Sequence, residues 1–367
     1  MLNIKPININ GNNCIDSFLF SYAISLQREA PMVFSEDIGF LYSPADPEHP
    51  EVLGNRISTG LKLKFPLFEK YCGIKSDMHP PSSYEDILRV IKENLEQQRP
   101  VAVYIDAFWC PWHKFYNKVH DDHFCLVIGI DSESNLTCID PGLYIENTCT
   151  LPFDFFKNGF GYYMTFQVST ITEKLDYTSV LKASLERAIT SKSTENIRQF
   201  AEDIKFKLNM TEEFKDFKAK SSWSVDLLKN LEQISGAREN YAKFLGYISE
   251  KCKEPRLSNF SADLLELQTK WQMVKVQLTK CYFMKSIEAS IQSIYNLLYD
   301  ISHIEEELIN ALYAVAASRY KEPEKSIRSK INIIRSINQT RRKAFIFCDK
   351  LYCFFVNIIR KRFSNSD

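Results

Sequence analysis

The 367-residue chain has no excess of either charge: 46 Lys and Arg stand against 46 Asp and Glu. A general nucleic-acid binder carries a basic surplus, so no nucleic-acid partner is expected. Glycine (11) and proline (14) are scarce, which excludes collagen-like and linker-like chains. The ten cysteines include no CxxC, so zinc-site spacing is missing and no metal is expected. The first residues, MLNIKPININGNNC, lack a basic stretch followed by an apolar one, so no secretory signal is expected. No long uninterrupted apolar run occurs. The nearest, residues 344–359, carries Asp349 and Lys350 in its middle and is short for a bilayer span. These absences point to a cytoplasmic protein with reduced thiols, most of them packed in cores.

What is present is an ordinary globular mixture, 45% apolar and 25% charged, long enough for about two domains. Residues 16–27 carry Phe18, Leu19, Tyr22, Ala23 and Leu26 at helical spacing. Residues 43–60 read as loop. Ser82 and Ser83 open a helix whose stripe is Tyr84, Ile87, Leu88, Ile91 and Leu95. Four strands follow, at 101–105, 124–130, 136–139 and 161–169, and the turn-rich DSESN makes the second and third a hairpin. After Thr170, Gly occurs only at 236 and 246, and Pro only at 255 and 323. Ile287, Ile291, Ile294, Leu298, Ile301, Ile304, Leu308, Leu312 and Val315 trace one long amphipathic helix, with Pro323 beyond its end. The expected class is α+β: residues 1–170 form a mixed catalytic domain and residues 171–367 an all-helical one.

Three residues of the first half fit one another. Cys14 follows GNN and opens the first helix, where the dipole and free N–H groups favour a thiolate. His123 begins the strand HFCLVIGI. Asp140, in IDP, ends the next strand. A hairpin brings His123 and Asp140 to the same end, so the carboxylate can orient the imidazole beside a thiol nucleophile. Taken singly, each has an ordinary structural explanation. Nine other cysteines and two nearby histidines, His113 and His120, compete, and Asp140 before Pro141 suits a turn. The joint order and spacing carry the reading.

The segments NNCIDSFLFSYAISL, SED, VAVYIDAFWCPWHKFYNKVHDDHFCLVIGID and CIDPG resemble papain-like thiol enzymes. More narrowly, they resemble the family named for the N-terminal region of butirosin biosynthesis protein H. ENYAKFL in the second half is also similar to that family. The HF…GxD…DP element is shared with bacteriocin-processing peptidases. The resemblance implies a papain-like fold for the first half. It also implies transfer of an acyl group from a carrier-protein thioester to an amine in natural-product assembly, as in antibiotic biosynthesis. Cys14 would then be the acylated nucleophile, His123 the base and Asp140 its orienter. The papain pattern has a Gln a few residues before the cysteine as oxyanion donor. Here Asn8 stands six positions upstream, and Asn13 lies nearer; either amide can donate.

Asp106, ending the strand in YIDAF, can bind a cationic amine acceptor or simply start a turn. Glu36 in FSED has the same two readings. Trp109 and Tyr116, with Trp112 and Phe115, either line an acyl or acceptor pocket or pack over the core. Residues 321–367 hold twelve Lys and Arg against four Asp and Glu, with Arg341, Arg342 and Lys343 the densest cluster. Carrier proteins are commonly acidic, so this cluster is a candidate docking face for an acyl carrier protein or peptidyl carrier domain. A solvated helix face and an anionic membrane surface are its alternatives. The chemistry needs no metal or organic cofactor of its own; phosphopantetheine would arrive on the carrier. The expected function is thiol acyl transfer to a small amine or alcohol. A thiol hydrolase (peptidase or thioesterase) and a non-catalytic helical interaction protein are the other two readings.

Overall fold

The computed structural model describes residues 1–43, 45, 52–60, 63–81, 83–171, 174–215, 217 and 224–317. Helix α1 (Cys14–Ser25) is followed by a short pair, β1 (Leu41–Tyr42) and β2 (Ile57–Ser58), and by α2 (Phe65–Cys72). Then come β3 (Ile74–His79), α3 (Tyr84–Glu96), β4 (Val101–Ile105), β5 (Phe124–Ile130), β6 (Leu136–Ile139), β7 (Cys149–Leu151), α4 (Phe153–Gly159) and β8 (Phe160–Val168). The six longer-range strands form one antiparallel sheet in the order β3-β8-β4-β5-β6-β7. Helices follow: α5 (Tyr177–Thr190), α6 (Ser193–Lys207), α7 (Met210–Glu213), α8 (Asp226–Cys252), α9 (Ser261–Cys281) and α10 (Glu288–Ala317). The fold is α+β, with the helical half second. No helix among the described residues is long and apolar enough to cross a membrane.

Both faces of the central strands β4, β5 and β6 are covered, which explains their nearly unbroken apolar sequences. Leu126 and Ile128 of β5 join the core that contains α1, while Cys125 and Val127 face a second cluster with Ile87 and Ile91 of α3 and Phe156 of α4. Helix α1 differs from the one-sided stripe its spacing suggests. Ile15 through Ala23 are all buried, so it runs through the interior. Its core continues without a break into the helical half, through Phe200, Leu231, Tyr241, Trp271 and Leu298.

Buried charges join the halves. Arg238 of α8 makes a two-point pair with Glu305 of α10, Nε to Oε1 at 2.7 Å and Nη2 to Oε2 at 3.0 Å, with both side chains fully buried. Its Nη1 donates to the carbonyl of Asp37 at 2.8 Å, and Trp271 Nε1 donates to Glu305 Oε1 at 3.0 Å. The Asp37 carboxylate pairs with buried Lys64.

Glu213, at the end of α7, accepts the N–H groups of Leu53 and Gly54. Burial pushes its carboxyl up to about 7, above the ordinary 4.5. A raised folded value stabilises the fold below the unfolded pKa, and that contribution is lost as pH rises through about 7. Glu213→Gln keeps an acceptor but cannot ionise. The stability of the wild type relative to this variant should therefore fall by up to about 3 kcal/mol as pH rises from below 4.5 to above about 7. Thermal melts of both proteins across that window check this; a constant difference would contradict it.

Candidate active site

The site begins with the cap of α1. Asn13 is the N-cap: its Oδ1 accepts from the Asp16 N–H at 2.8 Å, and its Nδ2 donates to Asp16 Oδ2 at 2.9 Å. The two side chains thus hold each other as well as the first turn. Cys14 is thus the first helical residue, whose N–H has no partner within the helix. Asp16 is buried and also accepts the Lys64 N–H at 3.0 Å; burial pushes its carboxyl up to about 6.

The sheet supplies the other two residues. In the β5–β6 register Leu126 lies opposite Ile139. His123 immediately precedes β5 and Asp140 immediately follows β6, so both lie at the same end of this hairpin. His123 Nε2 lies 2.6 Å from Asp140 Oδ2. Cys14 lies near enough to the same imidazole to favour its charged form. With Nε2 turned to Asp140, Nδ1 is the nitrogen left for sulfur. Burial disfavours the imidazolium, but the Asp140 charge, the Asp140 bond and Cys14 outweigh it, so His123 is raised well above its usual value. The turn after Asp140 closes on the nucleophile: a Cβ at Gly142 would lie 2.8 Å from Cys14 Cα, so only glycine permits this approach.

The neighbours sort themselves by partner. Trp112 Nε1 donates to Asp140 Oδ2 at 2.7 Å, a role that aromatic spacing alone did not reveal. His113 lies against His123 with ring centroids 5.0 Å apart, and its Nδ1 accepts the Phe115 N–H at 3.2 Å. Burial, then the His123 charge, push it down to about 4, so it is neutral. His120 is exposed and its Nδ1 lies 2.5 Å from Asp106 Oδ2. Asp106 also caps its own turn, accepting from Phe108 N–H at 3.0 Å. Despite burial, which raises it, its carboxyl is held below the usual value by the His120 bond and these N–H groups. Glu36 pairs with Arg187 of α5 at 2.5 Å. A cationic acceptor would have to displace these partners from either acid. Trp109 and Tyr116 both pack on Phe155 of α4, at 6.2 and 5.7 Å between centroids. Asn13 is occupied by its cap, whereas Asn8 Oδ1 is buried without a hydrogen-bond partner. The cluster Arg341, Arg342 and Lys343 lies outside the described residues.

The eight cysteines among the described residues are free thiols. Burial pushes the Cys110 thiol up, helped by the Cys125 and Asp140 charges, and pushes Cys149 up to about 11. Cys110, His123 and Asp140 offer ligand atoms within 4.8 Å of one another, the set among the described residues that could hold a metal ion. A metal there would compete with the His123–Asp140 bond and need the Cys110 proton removed.

Residues 12–141 match the family model described as Butirosin biosynthesis protein H, N-terminal. The match bears out the resemblance in the sequence. It starts two residues before Cys14 and ends one residue after Asp140, so it encloses all three residues of the site and leaves the helical half outside. No curated protein matches the chain.

Trp112 gives a specific test of this geometry. Trp112→Phe keeps the ring but removes a donor to a charged acceptor, a bond worth about 1.5–3 kcal/mol. The reaction rate of Cys14 should fall roughly tenfold to a hundredfold, with little change in KM for a small thioester. An unchanged rate would mean that Asp140 does not need this donor.

Proposed function

We propose that this protein is a thiol acyltransferase of natural-product assembly. It would take an acyl group from a carrier-protein thioester onto Cys14 and pass it to an amine or alcohol. The observation that carries the reading is the buried His123–Asp140 pair at 2.6 Å, with Cys14, at a helix start, near enough to influence the same imidazole. The family match supports the biosynthetic setting.

In this reading the Cys14 proton passes to His123 and sulfur attacks the thioester carbonyl. The Cys14 N–H and the Asn8 amide hold the oxyanion. Collapse breaks the old C–S bond, and His123 returns the proton to the departing carrier thiol. The acceptor then attacks the new thioester while His123 takes its proton. A second collapse expels Cys14 sulfur, which recovers the proton from His123. Each step balances without a metal or a redox partner. Asp140 keeps Nε2 protonated and stabilises the imidazolium throughout.

The basic cluster Arg341, Arg342 and Lys343 would steer an acidic carrier. Changing all three to Glu should raise the apparent KM for a carrier-bound donor several-fold, most at low salt, and leave turnover of a small soluble thioester unchanged. Equal loss on both donors would contradict docking, as would no loss on either. The same assay separates transfer from hydrolysis. Acyl product on the added amine or alcohol supports transfer, and free acid formed at the same rate with or without acceptor would mark a hydrolase.

A further inference from the structure

Helix α8 touches the segment that leads into Cys14, and it does so through backbone. Gly11 stands at φ +70, and a Cβ there would lie 2.5 Å from Gly236 Cα. A Cβ at Gly236 would lie 2.3 Å from Gly11 Cα and 2.7 Å from the Asn10 carbonyl. Neither side can rotate out of the way. One turn further along α8, buried Asn240 donates from Nδ2 to Asn12 Oδ1 at 3.1 Å and to the Asn10 carbonyl at 3.4 Å. Between them Glu239 Oε2 accepts from Asn10 Nδ2 at 2.7 Å. Asn10 Oδ1 in turn accepts from Tyr144 OH at 2.9 Å, and Tyr144 follows the Gly142 turn that closes on Cys14. The same stretch of α8 is anchored from behind by the buried Arg238–Glu305 pair.

We propose that α8 is part of the active site, with Gly236 and Asn240 as positioning residues that fix segment 10–13 and thereby set the Cys14 sulfur against His123. The proposal rests on the reading of Cys14 as nucleophile and His123 as its base. Cys14 follows its cap residue Asn13 directly, so a displaced segment displaces the sulfur. A misplacement of about 1 Å at a reacting atom costs on the order of 10²-fold in rate. This assigns the helical half a task in the chemistry itself.

The test is the rate of Cys14 alkylation by iodoacetamide, followed by peptide mapping, in the full-length protein. Gly236→Ala favours the helix itself, since Ala is the better helix former, and disturbs only the contact with Asn10 and Gly11. It should slow Cys14 roughly tenfold to a hundredfold. Asn240→Ala, which inserts nothing, should slow it several-fold and covers the case in which Gly236→Ala fails to fold. Gly246→Ala is the control on the same helix: its Cβ would meet nothing within 4 Å, so the rate should not change. Combined with His123→Ala, neither Gly236→Ala nor Asn240→Ala should slow Cys14 further, because what they disturb is the pairing with His123. Unchanged rates in the two single variants would overturn the proposal. So would an equal further loss in the His123→Ala background, which would mean general damage. His123→Ala alone failing to slow Cys14 would instead overturn the triad, and the proposal with it.

Discussion

Cys14→Ser should abolish acyl-enzyme formation, lowering turnover by about 10⁴- to 10⁶-fold, the range for losing one member of a nucleophile–base unit. The substitution is nearly isosteric at a half-buried position, and the α1 cap belongs to Asn13, so the melting temperature should hold. A hydroxyl gives up its proton far less readily than a thiol, so His123 cannot make it an equal nucleophile. Cys138→Ser and Cys252→Ser should retain the acyl adduct. Intact-mass spectrometry after incubation with a small acyl thioester reads all three. An adduct that persisted on Cys14→Ser and vanished on one of the others would relocate the chemistry.

His123→Ala should cost about 10⁴-fold, because it removes both the base and the acid of each step. His113→Ala and His120→Ala should cost much less: His113 is held neutral against its own loop, and His120 faces solvent beside Asp106. Asp140→Asn has a more particular signature. Trp112 and His123 both approach Oδ2, so an Asn at 140 would keep its carbonyl there and preserve the tautomer. What it loses is charge. The imidazolium is then opposed by burial, the largest influence on His123, without its main counter-charge. The pKa of His123 should fall, and the basic limb of the activity profile should move to lower pH, with roughly a tenfold to hundredfold loss near neutrality. A pH profile of the variant that matches the wild type would show that Asp140 acts only through shape.

Much of this was legible in the residues, for physical reasons. Strands β4, β5 and β6 lie inside the sheet, and burial on both faces writes them as nearly unbroken apolar runs, while β8, also inside, was legible from its aromatic and β-branched residues although Tyr162, Gln167 and Val168 are exposed. Helix α10 exposes one side, so its spacing gave a stripe, and Ile291, Ile294, Leu298, Ile301, Leu308 and Leu312 are buried as that stripe requires. Strands β3 and β7 escaped because they are the sheet's edges. Ile74–His79 pairs with β8 through its backbone, while its side chains are largely polar. Cys14, His123 and Asp140 could be grouped because a helix start and a hairpin end are local signals. Trp112 could not be given its role, since a ring in a loop carries no sign of where its N–H points. The engagement of Asp106 by His120, and of Glu36 by Arg187, is likewise a matter of tertiary approach. Gly11 and Gly236 are separated by the whole sheet and by helices α5, α6 and α7, so nothing local pairs them.

Burial alone does not choose among the thiols, since Cys14, Cys149 and Cys252 share intermediate exposure among the described residues. Reactivity does, because only a thiol paired with His123 gains its help. The most direct measurement is therefore substoichiometric iodoacetamide at neutral pH, with the label located by peptide mapping in the wild type and in His123→Ala. The account predicts that Cys14 carries the first label and that its rate drops sharply without His123. First labelling of Cys149 or Cys252, or a Cys14 rate indifferent to His123, would contradict it.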